Sequence, residues 1–161
     1  MEMSKAAVMV ITETWLNSKK LHVVENAHVA QSPLHNRQGV MIVCKEPIIQ
    51  MQPVFAEAWT STLVAVSLAA RLPDGRRTHF YVLGAYAPPG SQKETEKQIE
   101  YICQKLHERH PAPQILLMGD LNQPPEKARR LANSVGLELC QNDDQDLITH
   151  EVSMRGRRST A

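Results

Sequence analysis

The chain has 161 residues, of which 42% are apolar and 22% charged, and its formal net charge at pH 7 is +1. This length and composition predict one globular domain, and the small net charge excludes nucleic-acid binding through overall charge alone. No apolar stretch approaches the roughly 20 residues that span a bilayer, and no signal-peptide pattern opens the sequence, so we expect an intracellular protein without a membrane partner.

Short apolar runs separated by turn signals predict strands along most of the chain. The turn sequence Leu-Pro-Asp-Gly-Arg at 72–76 predicts a hairpin between two of them. Alternation of Val64, Val66 and Leu68 with smaller or polar residues is typical of a half-buried strand. The predicted strands are residues 6–12, 39–45, 62–71, 78–86, 114–118, 137–140 and, as a short one, 147–152.

Two helices are predicted after the hairpin. Ser91 and Glu94 form a capping box ahead of the first, which ends before Pro111. The second begins near Pro124 and is closed by Gly136. The residues expected on the buried faces of the two helices are Ile99, Ile102, Cys103, Leu106, Ala128, Leu131 and Val135. A hairpin combined with strand-helix-strand units predicts a layered α/β domain.

Polar side chains stand at the ends of three predicted strands. The octapeptide Ile-Leu-Leu-Met-Gly-Asp-Leu-Asn at 115–122 places Asp120 and Asn122 at the carboxyl end of a buried strand. Glu13 directly follows another strand, and Tyr86 ends a third. Carboxylates can hold a hard metal ion and an amide can donate to a phosphoryl oxygen. The three strand ends are therefore able to share one metal ion and one phosphate.

Each of these residues also has a purely structural interpretation. Asn122 could cap the second helix, with Asp120 as a turn residue. Glu13 could be a solvated residue after a strand, and Tyr86 a packing aromatic at a strand end. Gly39 is better explained by strand packing than by substrate binding.

Other polar and sulfur-containing residues favour structural roles. Cys44, Cys103 and Cys140 are an odd number at wide spacing, which argues against a disulfide framework and a zinc site. We expect the first two to be buried thiols. The acidic run at 143–146 lacks the glycine and terminal glutamate of a calcium loop. The basic run at 155–158 is as well explained by a solvated loop as by a nucleic-acid contact.

Four segments in order carry a resemblance to a known family. They are Thr-Glu-Thr-Trp-Leu at 12–16, Gly-Val-Met-Ile at 39–42, Ala-Tyr-Ala-Pro-Pro-Gly at 85–90 and Met-Gly-Asp-Leu-Asn at 118–122, with a weaker match through 149–160. Together they span nearly the whole chain and resemble the endonuclease/exonuclease/phosphatase superfamily, most closely the endonuclease domains of non-LTR (LINE-type) retrotransposons. The resemblance implies the DNase I-like fold, an α/β layered sandwich of two mixed β-sheets flanked by helices, over residues 1–161.

The resemblance also implies chemistry. A divalent ion, Mg²⁺ or alternatively Mn²⁺, would be held by Glu13, and water would attack phosphorus in line. Asp120 and Asn122 would position the nucleophile and stabilise the phosphoryl charge, while Tyr86 would contact the phosphate. The implied partner is DNA. The implied setting is the nucleus, in a full-length polypeptide that carries a reverse transcriptase domain.

Parts of the family pattern are missing from the sequence. No asparagine lies on a strand before Glu13, and neither the base-orienting aspartate nor the Ser-Asp-His motif follows the last match. His150 follows Thr149 rather than an aspartate, so we do not assign it as the base. We therefore expect a partial domain, incomplete at both termini, with little or no nuclease activity as this fragment. The alternatives are a phosphatase or DNA-repair nuclease of the same fold, and a catalytically dead module that binds nucleic acid or protein.

Overall fold

The computed structural model describes residues 6–14, 24–33 and 38–140, which form two β-sheets and two α-helices. The strands are β1 (Val8–Thr12), β2 (His28–Gln31), β3 (Val40–Cys44), β4 (Ile48–Pro53), β5 (Leu63–Arg71), β6 (Arg77–Tyr86) and β7 (Ile115–Asp120). The helices are α1 (Gln92–Arg109) and α2 (Pro125–Ser134), and a 3-10 turn at Ala56–Ala58 precedes β5. Within these ranges, neither helix has the length and apolar character needed to cross a membrane.

The strands form one antiparallel and one mixed sheet. The first has the order β1-β3-β2, and the second has the order β4-β5-β6-β7, in which the pair β6 and β7 is parallel. Helix α1 connects these two parallel strands, which is the strand-helix-strand unit predicted from the sequence. The parallel register pairs Tyr86 with Asp120. The carboxyl ends of β6 and β7 therefore meet at the same edge of the second sheet.

An apolar core lies between the two sheets. Val64 and Val66 of β5 pack there with Val40 and Ile42 of β3. Gly84 of β6 lies where the sheets approach closely, because a Cβ at this position would be 3.0 Å from Val40 Cγ1 and 3.2 Å from Ile42 Cγ1. The absence of a side chain at Gly84 thus allows β6 to pack closely against β3 of the other sheet.

A second core lies between the mixed sheet and the helices. Ile99, Ile102 and Leu106 of α1 are fully buried and pack with Leu63 and Leu83 of the sheet. Burial of an aliphatic side chain of this size stabilises the fold by about 1.5–3 kcal/mol. The described residues form three layers, sheet on sheet with helices outside, and this confirms the predicted α/β sandwich.

The structure corrects five details of the sequence interpretation. The strand predicted as buried before Asp120 is β7, which contains no buried residue and has Leu116 42% exposed. β5 is buried on both faces rather than half-buried, since Leu63 and Ala65 pack under the helices. Ser91 makes no capping hydrogen bond through its side chain, so the predicted capping box does not form. Ala128 of α2 is half-buried rather than buried. The predicted strand at 137–140 is wrong, because no strand within the described ranges pairs with these residues.

Two short strands, β2 and β4, were not predicted from the sequence. Several predictions fall on residues outside the described ranges. They are the matches at 15–16 and 149–160, the acidic run at 143–146, the strand at 147–152 and the basic run at 155–158.

Candidate active site

Glu13 and Tyr86 meet across the two sheets. Tyr86 is the last residue of β6 and is buried, with 6% of its surface exposed, whereas Glu13 directly follows β1 and is exposed. The Tyr86 hydroxyl donates a hydrogen bond to Oε1 of Glu13. This contact ties the end of β1 in the first sheet to the end of β6 in the second. Two residues that the sequence assigned to one site are thus in direct contact.

Asp120 lies beside this pair at the end of β7. It is the register partner of Tyr86 and is exposed to solvent. Its Oδ1 accepts a hydrogen bond from the backbone N–H of Asn122 at 2.9 Å, which closes an Asx turn. The turn role considered for Asp120 is therefore present. Because the carboxylate is exposed, the same group remains accessible to a ligand.

The Asn122 side chain faces the loop after β6 rather than α2. Its Nδ2 donates to the carbonyl oxygen of Ala87 at 3.0 Å. The residue that caps α2 is Pro124, with no side-chain hydrogen bond, so the interpretation of Asn122 as a helix cap is wrong. An amide nitrogen carries two hydrogens, and the bond to Ala87 uses one of them. The other can donate to a phosphoryl oxygen.

Both Glu13 and Asn122 have left-handed backbone conformations, with φ of 53° and 48°. This region is uncommon for residues other than glycine, and it is less favourable for glutamate than for asparagine. Among the described residues, the other non-glycine cases are Asn26 and Phe55. Such conformations cost about 1–3 kcal/mol and cluster at ligand sites. The surroundings therefore hold two candidate site residues in strained geometry.

The strand exit after Glu13 is closely packed against the start of β3. The backbone N–H of Thr14 donates to the carbonyl oxygen of Gly39 at 3.4 Å. A Cβ at Gly39 would lie 2.2 Å from Thr14 Oγ1, so a side chain here would require the Thr14 side chain to move. Gly39 therefore has the close packing expected of it. That Oγ1 is buried and has no hydrogen-bond partner among the described residues. Buried polar atoms of this kind are commonly satisfied by a bound water or ligand atom.

The donor atoms at this edge fit a hard divalent cation that keeps most of its waters. Glu13 and Asp120 supply exposed carboxylates, and Asn122 supplies an amide oxygen. Mg²⁺ needs only one or two protein carboxylates in addition to water and substrate oxygens. Within the described ranges, no group of three or more His, Cys, Asp or Glu residues could hold a metal by itself. The described residues at this edge therefore offer oxygen donors of the kind that Mg²⁺ prefers.

Two polar residues of α1 that were not predicted from the sequence also contact this region. Gln92 Nε2 donates to the carbonyl oxygen of Asn122 at 3.4 Å. Glu96 accepts a hydrogen bond from the side-chain amide of Gln123. The only sequence signal for them is their spacing of one helical turn on the helix that directly follows the loop at 85–90.

Cys44 and Cys103 are buried, as expected, and burial raises the pKa of each thiol to about 11. Cys103 also lines a surface groove between the carboxyl-terminal halves of α1 and α2, together with His107 and Gly136. None of the strand-end residues lines this groove. The cysteines are therefore structural and lie apart from the candidate site.

The sequence by itself matches no protein-family model and no curated protein. Among solved structures, the chain is similar to the catalytic domain of Xenopus laevis APE2, with a TM-score of 0.53, 11% identity and coverage of 74% of this chain and 51% of that one. It is also similar to D. rerio TDP2 in complex with a single-stranded DNA product, with a TM-score of 0.46, 10% identity and coverage of 83% and 53%. The human Nocturnin catalytic domain with a bound sulfate gives a TM-score of 0.35, 14% identity and coverage of 74% and 44%.

The chain spans about half the length of these structures. At 11% identity, the likeness to APE2 establishes the fold and nothing finer. The two-sheet sandwich with its helix layer and the likeness to APE2 together show that this chain has the DNase I-like fold.

Proposed function

We propose that the strand ends form part of a Mg²⁺-dependent phosphodiesterase site that acts on DNA, within an endonuclease domain of the retrotransposon type. The observation that carries the proposal is the hydrogen bond from Tyr86 to Glu13, beside the register pair of Tyr86 and Asp120. It brings together the ends of three strands from two sheets. Each end presents a group able to interact with a metal ion or a phosphate.

The four side chains have distinct roles in this proposal. Glu13 holds the cation, which is Mg²⁺ or alternatively Mn²⁺. When bound, the ion would neutralise negative charge that develops on the phosphoryl oxygens. Tyr86 has one hydroxyl hydrogen, which it donates to Glu13 in this structure, and it contacts the phosphate by turning that hydrogen to a phosphoryl oxygen. Asp120 orients the attacking water, and the free amide hydrogen of Asn122 stabilises a phosphoryl oxygen.

The retrotransposon assignment is supported by the order of the four sequence matches. The structure describes part of each match, and each described part includes a residue at the same edge of the sandwich. These residues are Glu13 from the first match, Gly39 from the second, Tyr86 from the third, and Asp120 with Asn122 from the fourth. We propose DNA as the partner, a nuclear location, and a reverse transcriptase domain in the same full-length polypeptide. A phosphatase or DNA-repair nuclease of the same fold is the alternative, because these residues act on a phosphate ester and not on the rest of the substrate.

The test measures nicking of supercoiled plasmid with Mg²⁺. We expect little nicking by this chain alone and clear nicking by the longer polypeptide proposed above, in which the substitutions are compared. Glu13→Gln and Asp120→Asn remove a charge without changing shape, and each is expected to lower the nicking rate by at least ~10²-fold. Glu57→Gln, an exposed glutamate in the 3-10 turn, is the matched control and should leave the rate unchanged.

The outcomes separate the candidate functions. Nicking that resists both site substitutions would show that the site is elsewhere. DNA binding without nicking by either form would favour a catalytically dead binding module. Hydrolysis of a small phosphate monoester in preference to plasmid would favour a phosphatase.

A further inference from the structure

We propose that Gln92 is a positioning residue that couples the loop after β6 to the loop after β7, and so fixes Asn122 for the reaction. This inference rests on the proposed function. Gln92 uses both ends of its side-chain amide: Oε1 accepts the backbone N–H of Gly90 at 3.0 Å, and Nε2 donates to the carbonyl oxygen of Asn122 at 3.4 Å. One half-buried side chain thus bridges two loops that follow neighbouring strands.

The two loops are also bonded to each other directly. The side chain of Asn122 donates to the carbonyl oxygen of Ala87 at 3.0 Å, and the backbone N–H of Ala87 donates to the carbonyl oxygen of Asp120 at 2.8 Å. Gln92 adds a connection from helix α1 to this loop pair. The position of Asn122 is therefore defined relative to the helix as well as to the sheet.

Helix α1 supports this connection because it is packed against the mixed sheet. Its residue Thr95 is 2% exposed, and its hydroxyl donates to the carbonyl oxygen of Tyr86 at 3.4 Å. One turn after Gln92, Glu96 accepts the hydrogen bond from Gln123. The first two turns of α1 thus contact the backbone of Tyr86 and the loop that carries Asn122. Sites whose supporting groups are themselves held by packing keep their geometry better than sites on free loops.

Asn122 needs this support because its backbone is in the left-handed region, with φ of 48°. Without the hydrogen bond from Gln92, the loop can relax toward more favourable backbone angles and turn the amide away from its present direction. A small displacement of a group that stabilises the transition state lowers the rate of reaction more than it lowers substrate affinity. Gln92 does not itself need to touch the substrate.

The experiment compares Gln92→Leu, Gln92→Glu and a matched control, Gln104→Leu. Gln104 is an exposed glutamine on the same helix, and its side chain bonds only within α1, to Glu108 at 3.3 Å. Gln92→Leu removes both hydrogen bonds. Gln92→Glu keeps an acceptor for Gly90 and loses the donor to Asn122.

The first measurement is amide hydrogen exchange followed by NMR. In Gln92→Leu, the Gly90 amide loses its acceptor and should exchange about 2- to 10-fold faster. The Asn122 amide keeps its acceptor, Oδ1 of Asp120, but should also exchange faster because the loop is no longer anchored through the Asn122 carbonyl. In Gln92→Glu, exchange should rise at Asn122 and stay unchanged at Gly90. Gln104→Leu should change neither amide.

The second measurement is kcat and KM for DNA nicking in the form of the protein that nicks DNA. We expect kcat to fall in Gln92→Leu, to fall less in Gln92→Glu, and KM to stay within about two-fold, because the interaction that is lost acts in the transition state. The proposal would be overturned if amide exchange at Asn122 were unchanged in Gln92→Leu. It would also be overturned if Gln104→Leu changed exchange at Asn122 as much as Gln92→Leu does, or if exchange rose in Gln92→Leu while kcat stayed unchanged. If no tested form of the wild-type protein nicks DNA, the proposed function fails, and the exchange result alone decides whether Gln92 positions Asn122.

Discussion

The hydroxyl of Tyr86, in the mixed sheet, donates a hydrogen bond to the carboxylate of Glu13. Glu13 lies 73 positions before Tyr86 in the chain and follows β1, an edge strand of the antiparallel sheet. The candidate site is therefore built across the sandwich rather than on one sheet. Its geometry depends on how closely the sheets approach, and the contact distances at Gly84 show that this approach is tight. A change in the packing between the sheets is therefore expected to change the distance between Tyr86 and Glu13.

Removing the Tyr86 hydroxyl should weaken this connection without disturbing the core. In Tyr86→Phe the buried ring remains, and the free energy of unfolding should fall by about 0.5–1.5 kcal/mol, the usual net contribution of one hydrogen bond. Urea denaturation measures the change. Tyr101→Phe is the control, since Tyr101 is 50% exposed on α1 and should change stability by less than about 0.5 kcal/mol. Equal effects at the two positions would contradict a stabilising bond between Tyr86 and Glu13.

The left-handed backbone of Glu13 gives a prediction with an unusual sign. Glycine adopts this conformation without the clash of a Cβ, so Glu13→Gly should be more stable than Glu13→Ala by about 1 kcal/mol. At Glu100, an exposed position in the middle of α1, the alanine variant should instead be more stable than the glycine variant by about 1 kcal/mol. Chemical denaturation of the four variants tests this. Glycine less stable than alanine at both positions would show that Glu13 carries no backbone strain.

Gly119, one residue before Asp120, should tolerate no side chain. Its φ is 139°, and a Cβ would lie 1.8 Å from the carbonyl oxygen of Ala85, which belongs to the backbone of the neighbouring strand and cannot rotate away. We expect Gly119→Ala to lower the free energy of unfolding by more than about 3 kcal/mol or to prevent folding. Gly75→Ala is the control, because Gly75 has a φ of 85° but no atom within 4 Å of the added Cβ.

The control separates steric overlap from backbone strain. Gly75→Ala should cost only the strain of a left-handed alanine, about 1–2 kcal/mol. A Gly119→Ala variant as stable as Gly75→Ala would mean that β6 and β7 are not paired as described.

The buried thiols predict how stability depends on alkaline pH. Burial raises the pKa of Cys44 and Cys103 to about 11, above the value of 9.0 for a free thiol. The folded state favours the neutral thiol. The contribution of the two buried neutral thiols to the free energy of unfolding is therefore fully present below pH 9 and is lost as the pH rises from about 9 to 11. In the double variant Cys44→Ala, Cys103→Ala, the free energy of unfolding should therefore fall less between pH 9 and 11 than it does in the unsubstituted protein.

Thiol labelling tests the same property directly. At pH 8 a thiol with a pKa near 11 is ionised to about one part in a thousand, and only the thiolate reacts quickly. A thiol reagent should therefore label the exposed Cys140 in the native protein at once and reach Cys44 and Cys103 only after unfolding. Rapid labelling of three thiols in native protein would contradict the burial described here.

The central strands and both helices could be predicted because each of them buries a regular apolar pattern. β3, for example, is a run of five buried residues with no polar side chain. The edge strands β2 and β4 have no such pattern, since His28, Gln50 and Gln52 face solvent and the strands are held by pairing with a central neighbour. Residues 137–140 show the reverse case, where an apolar alternation exists but no strand within the described ranges pairs with it.

The candidate site was predictable to the extent that it depends on strand ends. A carboxylate at the end of a short apolar run is visible in the sequence, as for Glu13 and Asp120, although the strands β1 and β7 are only partly buried. The hydrogen bonds of Gln92 and Glu96 were not predictable, because a glutamine or glutamate on a helix is usually solvated and its partners lie far away in sequence. The left-handed backbone of Glu13 also has no sequence signal, since glutamate seldom adopts it.

The most direct test of a shared site is an Mn²⁺ titration of the protein, with NMR line broadening of the backbone amides as the measurement. Mn²⁺ prefers the same oxygen ligands as Mg²⁺ and broadens only nearby resonances. We predict that the amides of Glu13, Tyr86 and Asn122 broaden together, that Mg²⁺ reverses the effect, and that Glu13→Gln abolishes it at these three positions. Broadening confined to the acidic run at 143–146, broadening at Glu13 without Asn122, or no specific broadening at all would contradict the claim that the three strand ends form one metal site.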